Sequence, residues 1–254
     1  MIGYIVEQGD KRMVELLRIL KERGYNAQAF TQMPVEAACL IVSPGKKVGE
    51  LLGIVEKLPP GSVLIGGQSA SYIEPAAKAR GVRYACVTDD ETFAVQNAIP
   101  TAEGALSLII SNTERTILGM DIAIVGFGRI GKALAPMLHQ LGARVHVVAR
   151  NPVQRAWAGA YRSYAIEEME DVLKRCSVLV NTVPARVIDY DALSSMKEGS
   201  LAIELASYPY GYDDDDAVTL GLRSILALGL PAKYAPLSAA EYLADAVDRL
   251  CNPS

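Results

Sequence analysis

The feature that most constrains this chain is Gly126-Phe127-Gly128-Arg129-Ile130-Gly131. It directly follows the apolar run Ile122-Ala123-Ile124-Val125 and leads into Lys132 to His139, a stretch with helical periodicity. A buried strand that turns through three spaced glycines into a helix is the opening of a dinucleotide-binding βαβ unit. Gly126 permits the tight turn, Gly128 lets the backbone approach a pyrophosphate, and Gly131 lets helix and strand pack closely, so that phosphate charge meets a helix N-terminus. Arg129 and Ile130 lie inside the motif and join the expected cofactor contacts. A glycine-rich strand-to-helix turn also occurs where no nucleotide binds; the flanking pattern is what favours a cofactor here.

Selectivity is set at the end of the next strand, read as Ala143 to Arg150 after Gly142, a helix C-cap candidate. An NAD site usually places Asp or Glu about 20 residues past the glycines to bind the ribose hydroxyls, whereas Arg suits a 2′-phosphate. Arg150 stands nineteen residues past Gly131, followed by Asn151 and, one helical turn on, Arg155, with no carboxylate in that stretch. The expected cofactor is therefore NADP, with Arg150, Asn151 and Arg155 near its 2′-phosphate. The alternative is that Arg150 merely solvates a strand end.

A second α/β pattern precedes the glycine motif. Strands are expected at Gly3 to Val6, Asn26 to Phe30, Ala38 to Val42, Ser62 to Ile65 and Arg83 to Val87, with helices at Lys11 to Arg23, Val48 to Lys57 and Ile73 to Arg80. Beyond the motif, Ser177 to Thr182, Ser200 to Ala206 and Ser224 to Leu228 read as buried strands, and Ala239 to Leu250 as a final helix. The expected fold class is α/β with two doubly wound domains, the second a Rossmann dinucleotide-binding domain. We place residues 1–96 in a substrate or partner domain, 97–118 in an interdomain helix whose core is Ala102 to Ser111, 119–237 in the NADP-binding domain and 238–254 in a helix returning toward the first domain. Ligands of such folds sit beyond the strand C-termini.

At 254 residues and 50% hydrophobic content the chain suffices for two modest cores. A net charge of −4 offers no basic footprint for nucleic acid, and no apolar stretch approaches a membrane span or a signal segment, so a cytoplasmic protein is expected. Positive mean hydropathy, +0.18, hints at a buried interface and hence an oligomer. Cys39, Cys86, Cys176 and Cys251 form no CxxC pair and read as buried thiols rather than disulfide, metal or redox centres. Asp213 to Asp216 tempts a metal reading, but adjacent acids on one helix do not converge on one ion; a solvated helix N-terminus is the better reading, and no metal is expected.

The two histidines, His139 in the first helix of the motif and His146 inside the following strand, are ill placed for acid–base work at a carbinol carbon. No GxSxG, HExxH or Cys/His pair supports acyl transfer or zinc hydrolysis. The stronger candidate is Asn97-Ala98-Ile99-Pro100-Thr101-Ala102-Glu103-Gly104, which offers an amide, a hydroxyl and a carboxylate near an expected helix start, with Thr101 and Glu103 close enough to share one site. Alternatively, Thr101 is an N-cap and Glu103 a first-turn carboxylate facing the helix dipole. Polar loops follow other strands, at Ser43 to Gly45, Gly66-Gly67-Gln68, Asn181-Thr182-Val183-Pro184, Ser207 to Gly211 and Gly229 to Pro231. The Asn181 to Pro184 loop belongs to the cofactor domain and its four residues are counted as cofactor-binding.

Asn97-x-Ile-Pro-Thr-x-Glu-Gly104, Thr116-Ile-x-Gly119 leading into the Gly126 motif, Ala149-Arg150, Asn181-Thr-x-Pro184, Leu205-Ala-Ser-x-Pro209, Gly229-Leu-Pro-x-x-x-Ala-Pro236 and the opening Gly9-Asp10-x-Arg12 together resemble the family of dipicolinate synthase A subunits over most of the chain. The first domain departs from that family in carrying Gln8 where a glycine is usual and in looking shortened between its first and third strands. The resemblance implies NADP-dependent oxidation of dihydrodipicolinate to dipicolinate, partnership with a flavoprotein-like B subunit, and work in the mother cell of a sporulating bacterium. We place Asn97, Thr101 and Glu103 around the substrate, with Gly67, Gln68 and Ser207 helping to hold its carboxylates; no basic residue is singled out for those carboxylates, Arg12 in the opening loop being one candidate. Because the product ring is aromatic, a strongly tuned histidine is not obligatory; water or a weak base suffices for the proton. Two rivals stay open: another two-domain NADP oxidoreductase of a keto or imino acid, and a non-catalytic NADPH-sensing subunit.

Overall fold

The computed structural model describes residues 3–251, which fall into two compact units, one running to Pro100 and resuming at Pro231, the other spanning Thr101–Leu230. In the first unit the chain runs β1 (Tyr4–Val6), α1 (Lys11–Glu22), β2 (Ala27–Ala29), β3 (Cys39–Ile41), α2 (Val48–Val55), β4 (Val63–Gly66), α3 (Ala70–Ala79) and β5 (Arg83–Cys86), and then enters α4 (Glu91–Ser111). The second unit holds β6 (Asp121–Val125), α5 (Arg129–Gln140), β7 (Arg144–Val148), α6 (Pro152–Trp157), β8 (Arg162–Tyr164), α7 (Met169–Leu173), β9 (Val178–Asn181), α8 (Tyr190–Ser194), β10 (Leu201–Glu204), α9 (Asp214–Thr219) and β11 (Arg223–Leu226). Two helices follow, α10 (Leu230–Tyr234) and α11 (Pro236–Cys251).

Every strand pairing is parallel, in the order β2-β1-β3-β4-β5 in the first sheet and β11-β10-β9-β6-β7-β8 in the second. Parallel sheets need both faces covered, which is why β3, β4, β9 and β10 are buried throughout and apolar except for Asn181 and Glu204 at their ends. In the first unit α1 and α11 cover one face, with Met13, Leu16 and Leu20 packing beside Ala240, Leu243 and Val247; Leu51, Val55, Ile73 and Ala77 of α2 and α3 cover the other. In the second unit Leu134 and Leu138 of α5 share a core with Ala105 and Ile109 of α4, while α7, α8 and α9 close the opposite face. The fold is thus α/β with two doubly wound parallel sheets. The second reads 3-2-1-4-5-6 from β8 to β11, the order of a dinucleotide-binding domain.

Strand chemistry explains most elements and two departures. Three-residue β8, at the sheet edge with a mostly exposed Arg-Ser-Tyr sequence, carries no apolar run and escapes a reading based on periodicity. Helix α4 begins at Glu91, not near Ala102, and continues through Pro100. A proline inside a helix removes one N–H and opposes the carbonyl of residue i−4, here Gln96, so it suggests a break; here packing of Ala98, Ala102, Ala105 and Ile109 keeps the helix going. Asp213 caps α9 by accepting from Asp215 N at 3.1 Å, as the acidic run suggested. Among the described residues no helix is long and apolar enough to cross a membrane.

Candidate functional site

In the second sheet the strand order reverses between β6 and β9, so the turns after these strands flank the crevice where such folds bind ligands. The three glycines of the first turn are required for different reasons. Gly126 has φ +91°, and a Cβ there would lie 2.5 Å from Thr182 Oγ1 and 2.6 Å from Val183 Cγ2. A Cβ on Gly131 would lie 2.5 Å from the Gly126 carbonyl oxygen. Gly128 differs: its φ is −82°, no atom lies within 4 Å of a Cβ built there, and it is the N-cap of α5 with no side chain capping the helix. Backbone strain and packing therefore account for Gly126 and Gly131, whereas no contact among the described residues accounts for a glycine at 128. The space a side chain would fill lies at the uncapped N-terminus of a twelve-residue helix, which suits a pyrophosphate.

Around this turn Thr182 Oγ1 donates to the Val125 carbonyl at 2.9 Å, tying the β9 loop to the end of β6. Val183 and Thr182 are half-buried against Gly126, and Pro184 is exposed. Asn181 does something else. It is fully buried; its Nδ2 donates to Glu204 Oε1 at 2.7 Å and Oε2 at 2.9 Å, and its Oδ1 accepts from Val183 N at 3.1 Å. These bonds engage the Asn181 amide within the protein and brace the loop. Its partner Glu204, which sequence reasoning passed over, ends β10 at 3% exposure and also accepts from Ala206 N and Gly211 N, both at 2.8 Å. The signal was a carboxylate inside the apolar run Leu201-Ala-Ile-Glu-Leu-Ala206. Burial pushes this carboxyl above its ordinary range, against the hydrogen bonds from Gly211, Asn181 and Ala206. Glu204→Leu strands two buried backbone N–H groups, so urea denaturation is expected to show a loss of about 3 kcal/mol, at about 1–3 kcal/mol per stranded group. Glu204→Gln, which keeps an acceptor, should lose less than half of that.

At the end of β7 the Arg150 side chain is exposed, and no hydrogen bond or ion pair among the described residues engages its guanidinium. Its neighbours are occupied. Asn151 Oδ1 caps α6 by accepting from Val153 N at 2.9 Å, and Arg155 Nη1 donates to the carbonyls of Ala149 at 2.7 Å and Arg150 at 2.8 Å. Arg129 is exposed at the first turn of α5, and Ile130 packs against the core of the second unit. His146 lies in the middle of β7 and turns toward the strand starts: Nε2 is 2.8 Å from Asp121 Oδ1, and Asp121 also binds Arg144 through Nε at 2.8 Å. The Arg144 hydrogen bond, more than that of His146, holds the Asp121 carboxyl down at about 2.

The first sheet reverses its order between β1 and β3, and there the opening loop meets the Ser43 loop. Asp10 caps α1, accepting from Met13 N at 3.0 Å, and accepts from Ser43 Oγ at 2.8 Å. Arg12 is 4% exposed; among the described residues its Nη2 makes long contacts, 3.4 Å to Asp10 and 3.3 Å to Ser43 Oγ, and its Nε has no hydrogen-bond partner. Burial acts against its charge, with Asp10 as the opposing contribution. Gly67 and Gln68 support this edge from β4. A Cβ on Gly67 would lie 2.2 Å from the Pro44 carbonyl oxygen, and Gln68 Nε2 donates to the Lys46 carbonyl at 2.9 Å, so both act as loop braces before any contact with substrate. Ser207 is exposed after β10.

The Asn97 to Gly104 stretch lies inside α4 rather than at its start, so no free N-terminal N–H groups or N-cap role attach to Thr101, and Glu103 is not a first-turn acid. Asn97 and Thr101, four residues apart, share one helix face, with Thr101 buried at 8% exposure. Glu103 lies about 200° around the helix from Thr101 and is exposed, so the two do not share one site.

Comparison with known proteins agrees with this geometry. Residues 108–207 match the family described as D-isomer specific 2-hydroxyacid dehydrogenase, NAD binding domain. Fold and turn together define an oxidoreductase with a nicotinamide dinucleotide-binding domain. The chain is 32% identical over 198 residues to the dipicolinate synthase A subunit of Bacillus subtilis, covering 77% of this chain and 67% of that protein. It superposes on the crystal structure of the dipicolinate synthase A subunit from Bacillus halodurans with a TM-score of 0.87 and 26% identity, over 98% of this chain and 97% of that one. A transhydrogenase structure from Sinorhizobium meliloti, TM-score 0.74 and 16% identity over 97% of this chain and 92% of that chain, shares the fold. The chain belongs to the family of dipicolinate synthase A subunits.

Proposed function

We propose that this protein oxidises dihydrodipicolinate to dipicolinate with NADP, as the A subunit of a synthase whose partner is a flavoprotein-like B subunit in the cytoplasm of a sporulating mother cell. The observation that carries the cofactor choice is the unengaged guanidinium of Arg150 at the end of β7, one strand away from the open Gly128 position. The backbone N–H groups at the start of α5 would hold the pyrophosphate, Arg150 the 2′-phosphate, and the braced Thr182–Pro184 loop would line the same crevice. When bound, NADP supplies the hydride acceptor.

Substrate identity rests on family membership and on a chemical fit in the first unit. A carboxylate makes its strongest hydrogen bonds to a cation, and Arg12 is a charged side chain whose hydrogen-bonding capacity Asp10 and Ser43 leave incomplete. Arg12 anchors one carboxylate in this reading, and Asn97 and Thr101 present an amide and a hydroxyl from one face of α4. Ser207 remains a candidate as an exposed polar contact, whereas Glu103 lies on a different face of α4 from Asn97 and Thr101. Loss of hydride from a dihydropyridine carbon gives an aromatic ring, so the accompanying proton needs only water or a weak base.

The test is turnover of enzymatically generated dihydrodipicolinate with NAD or NADP, with and without the B subunit, followed by the ultraviolet absorbance of the pyridine dicarboxylate. NADP-dependent absorbance is the expected result; tight NADPH binding without product, even with the B subunit present, overturns catalysis and leaves a nucleotide-sensing role. In the active preparation Arg12→Leu should raise KM for the dicarboxylate at least about tenfold, the loss of one charged hydrogen bond. An unchanged thermal melt serves as the check on folding, and an unchanged KM removes Arg12 from the site.

A further inference from the structure

Cys39 in β3 and Cys251 at the end of α11 are separated in sequence by the entire second unit, yet the first unit sets their sulfurs 3.9 Å apart. We propose that this pair is an oxidation site, at which a hydroperoxide oxidises Cys251 and Cys39 then closes an intramolecular disulfide between α11 and β3. The proposal is independent of the reaction assigned above.

The two thiols are unequal in the way a two-step oxidation requires. Cys39 is 3% exposed inside the sheet, whereas Cys251 is half-buried at the last residue of its helix, so an oxidant in solution meets Cys251 first. The contact with Cys39, in which either sulfur can donate, draws the Cys251 thiol below its usual range, with the Tyr4 hydroxyl and the charge of Arg83 adding to this against burial and Asp248. Arg83 is placed there by its own hydrogen bond, Nη1 to the Leu250 carbonyl at 3.1 Å. Cys39 is pushed in the opposite direction, first by the contact with Cys251 and then by burial. Thiolate character and access together select which cysteine reacts.

The chemistry balances without any other cofactor. Cys251 thiolate attacks the peroxide, breaking the O–O bond; one oxygen stays on sulfur as a sulfenic acid and the other leaves as an alcohol or water. Cys39 sulfur then attacks the sulfenic sulfur, the S–O bond breaks, and the leaving hydroxide takes the Cys39 proton as water. Two thiols are oxidised and one peroxide is reduced. The sulfurs must close from 3.9 Å to a bond of about 2.05 Å, which the terminal residue of a helix can supply more readily than a strand interior. Cys86, whose sulfur sits 3.1 Å from Thr88 Oγ1, and Cys176, 2% exposed in the other unit, have no such partner thiol among the described residues.

The experiment treats the folded full-length chain with one equivalent of hydrogen peroxide, quenches with an alkylating agent, and maps tryptic peptides without reduction. The expected product is the Gly24–Lys46 peptide joined to Leu250–Ser254, with free thiols falling from four to two and returning on reduction. Cys251→Ser should slow peroxide consumption at least about tenfold, and Cys39→Ala should stop at a sulfenic acid on Cys251 that a dimedone probe captures. The proposal is overturned by four unchanged thiols, by a cross-link between two chains, or by Cys251 oxidised to sulfinic acid with Cys39 still free. If Cys39→Ala fails to fold, the wild-type peptide map decides alone.

Discussion

Arg150→Asp is expected to weaken NADPH binding by about a hundredfold while leaving NADH binding unchanged or tighter. The guanidinium at the end of β7 is exposed and engaged by no described side chain, so it contributes little to folding and is free to meet a 2′-phosphate. A charge-assisted contact of this kind is worth about 1.5–3 kcal/mol, and reversing the charge adds repulsion where there was attraction. At 1.4 kcal/mol per factor of ten, the sum is about two orders of magnitude. Arg155 will not compensate, because it is held on the carbonyls of Ala149 and Arg150. Fluorescence titration with the two reduced cofactors measures the effect, and an equal loss for both, or none, assigns Arg150 to strand-end solvation instead.

The second large effect separates binding from folding within a single turn. Gly128→Val should melt like the parent protein yet lose dinucleotide binding by more than about a hundredfold. The backbone there is extended, at φ −82° and ψ −154°, and the added side chain enters open space at the start of α5, where backbone N–H groups would otherwise face phosphate. Gly131→Val should do the reverse in order of cause. Its Cβ meets the Gly126 carbonyl at 2.5 Å, so the helix must move off the strand, an overpacking cost of about 1–3 kcal/mol or more, and binding falls because the fold does. Thermal melts and NADPH titrations on both variants distinguish the cases. A Gly128→Val protein that binds normally would show that the turn is not the phosphate cradle.

Much of the architecture was legible because it is written locally. Runs such as Ile122 to Val125 and Leu201 to Ala206 specify buried parallel strands, and glycines such as Gly24 at φ +82° and Gly142 at φ +83° stop helices where the sequence says they do. The edge strand β8 was not legible, since three mostly exposed residues have no apolar pattern to read. The misreading at Pro100 has a different origin. Proline is a local signal for a helix boundary, but Phe93, Ala98, Ala102 and Ile109 are buried along the length of α4, and that burial outweighs one missing hydrogen bond. This moved Thr101 and Glu103 from a shared helix start to different faces of a helix interior.

The amino-acid order by itself determined that there are two α/β units, that one carries a glycine turn built for a dinucleotide, and that a cation rather than a carboxylate ends the following strand. These follow from backbone sterics and from period, which act over a few residues. Only the tertiary structure decided which of the turn's glycines are required by packing, that Asn181 is bonded to Glu204, that Arg12 is buried at a strand-order reversal, and that Cys39 meets Cys251. Each of those depends on which segments a parallel sheet brings side by side, and the physical reason is burial: the partner of a buried polar group or thiol is fixed by packing between chain segments far apart in sequence.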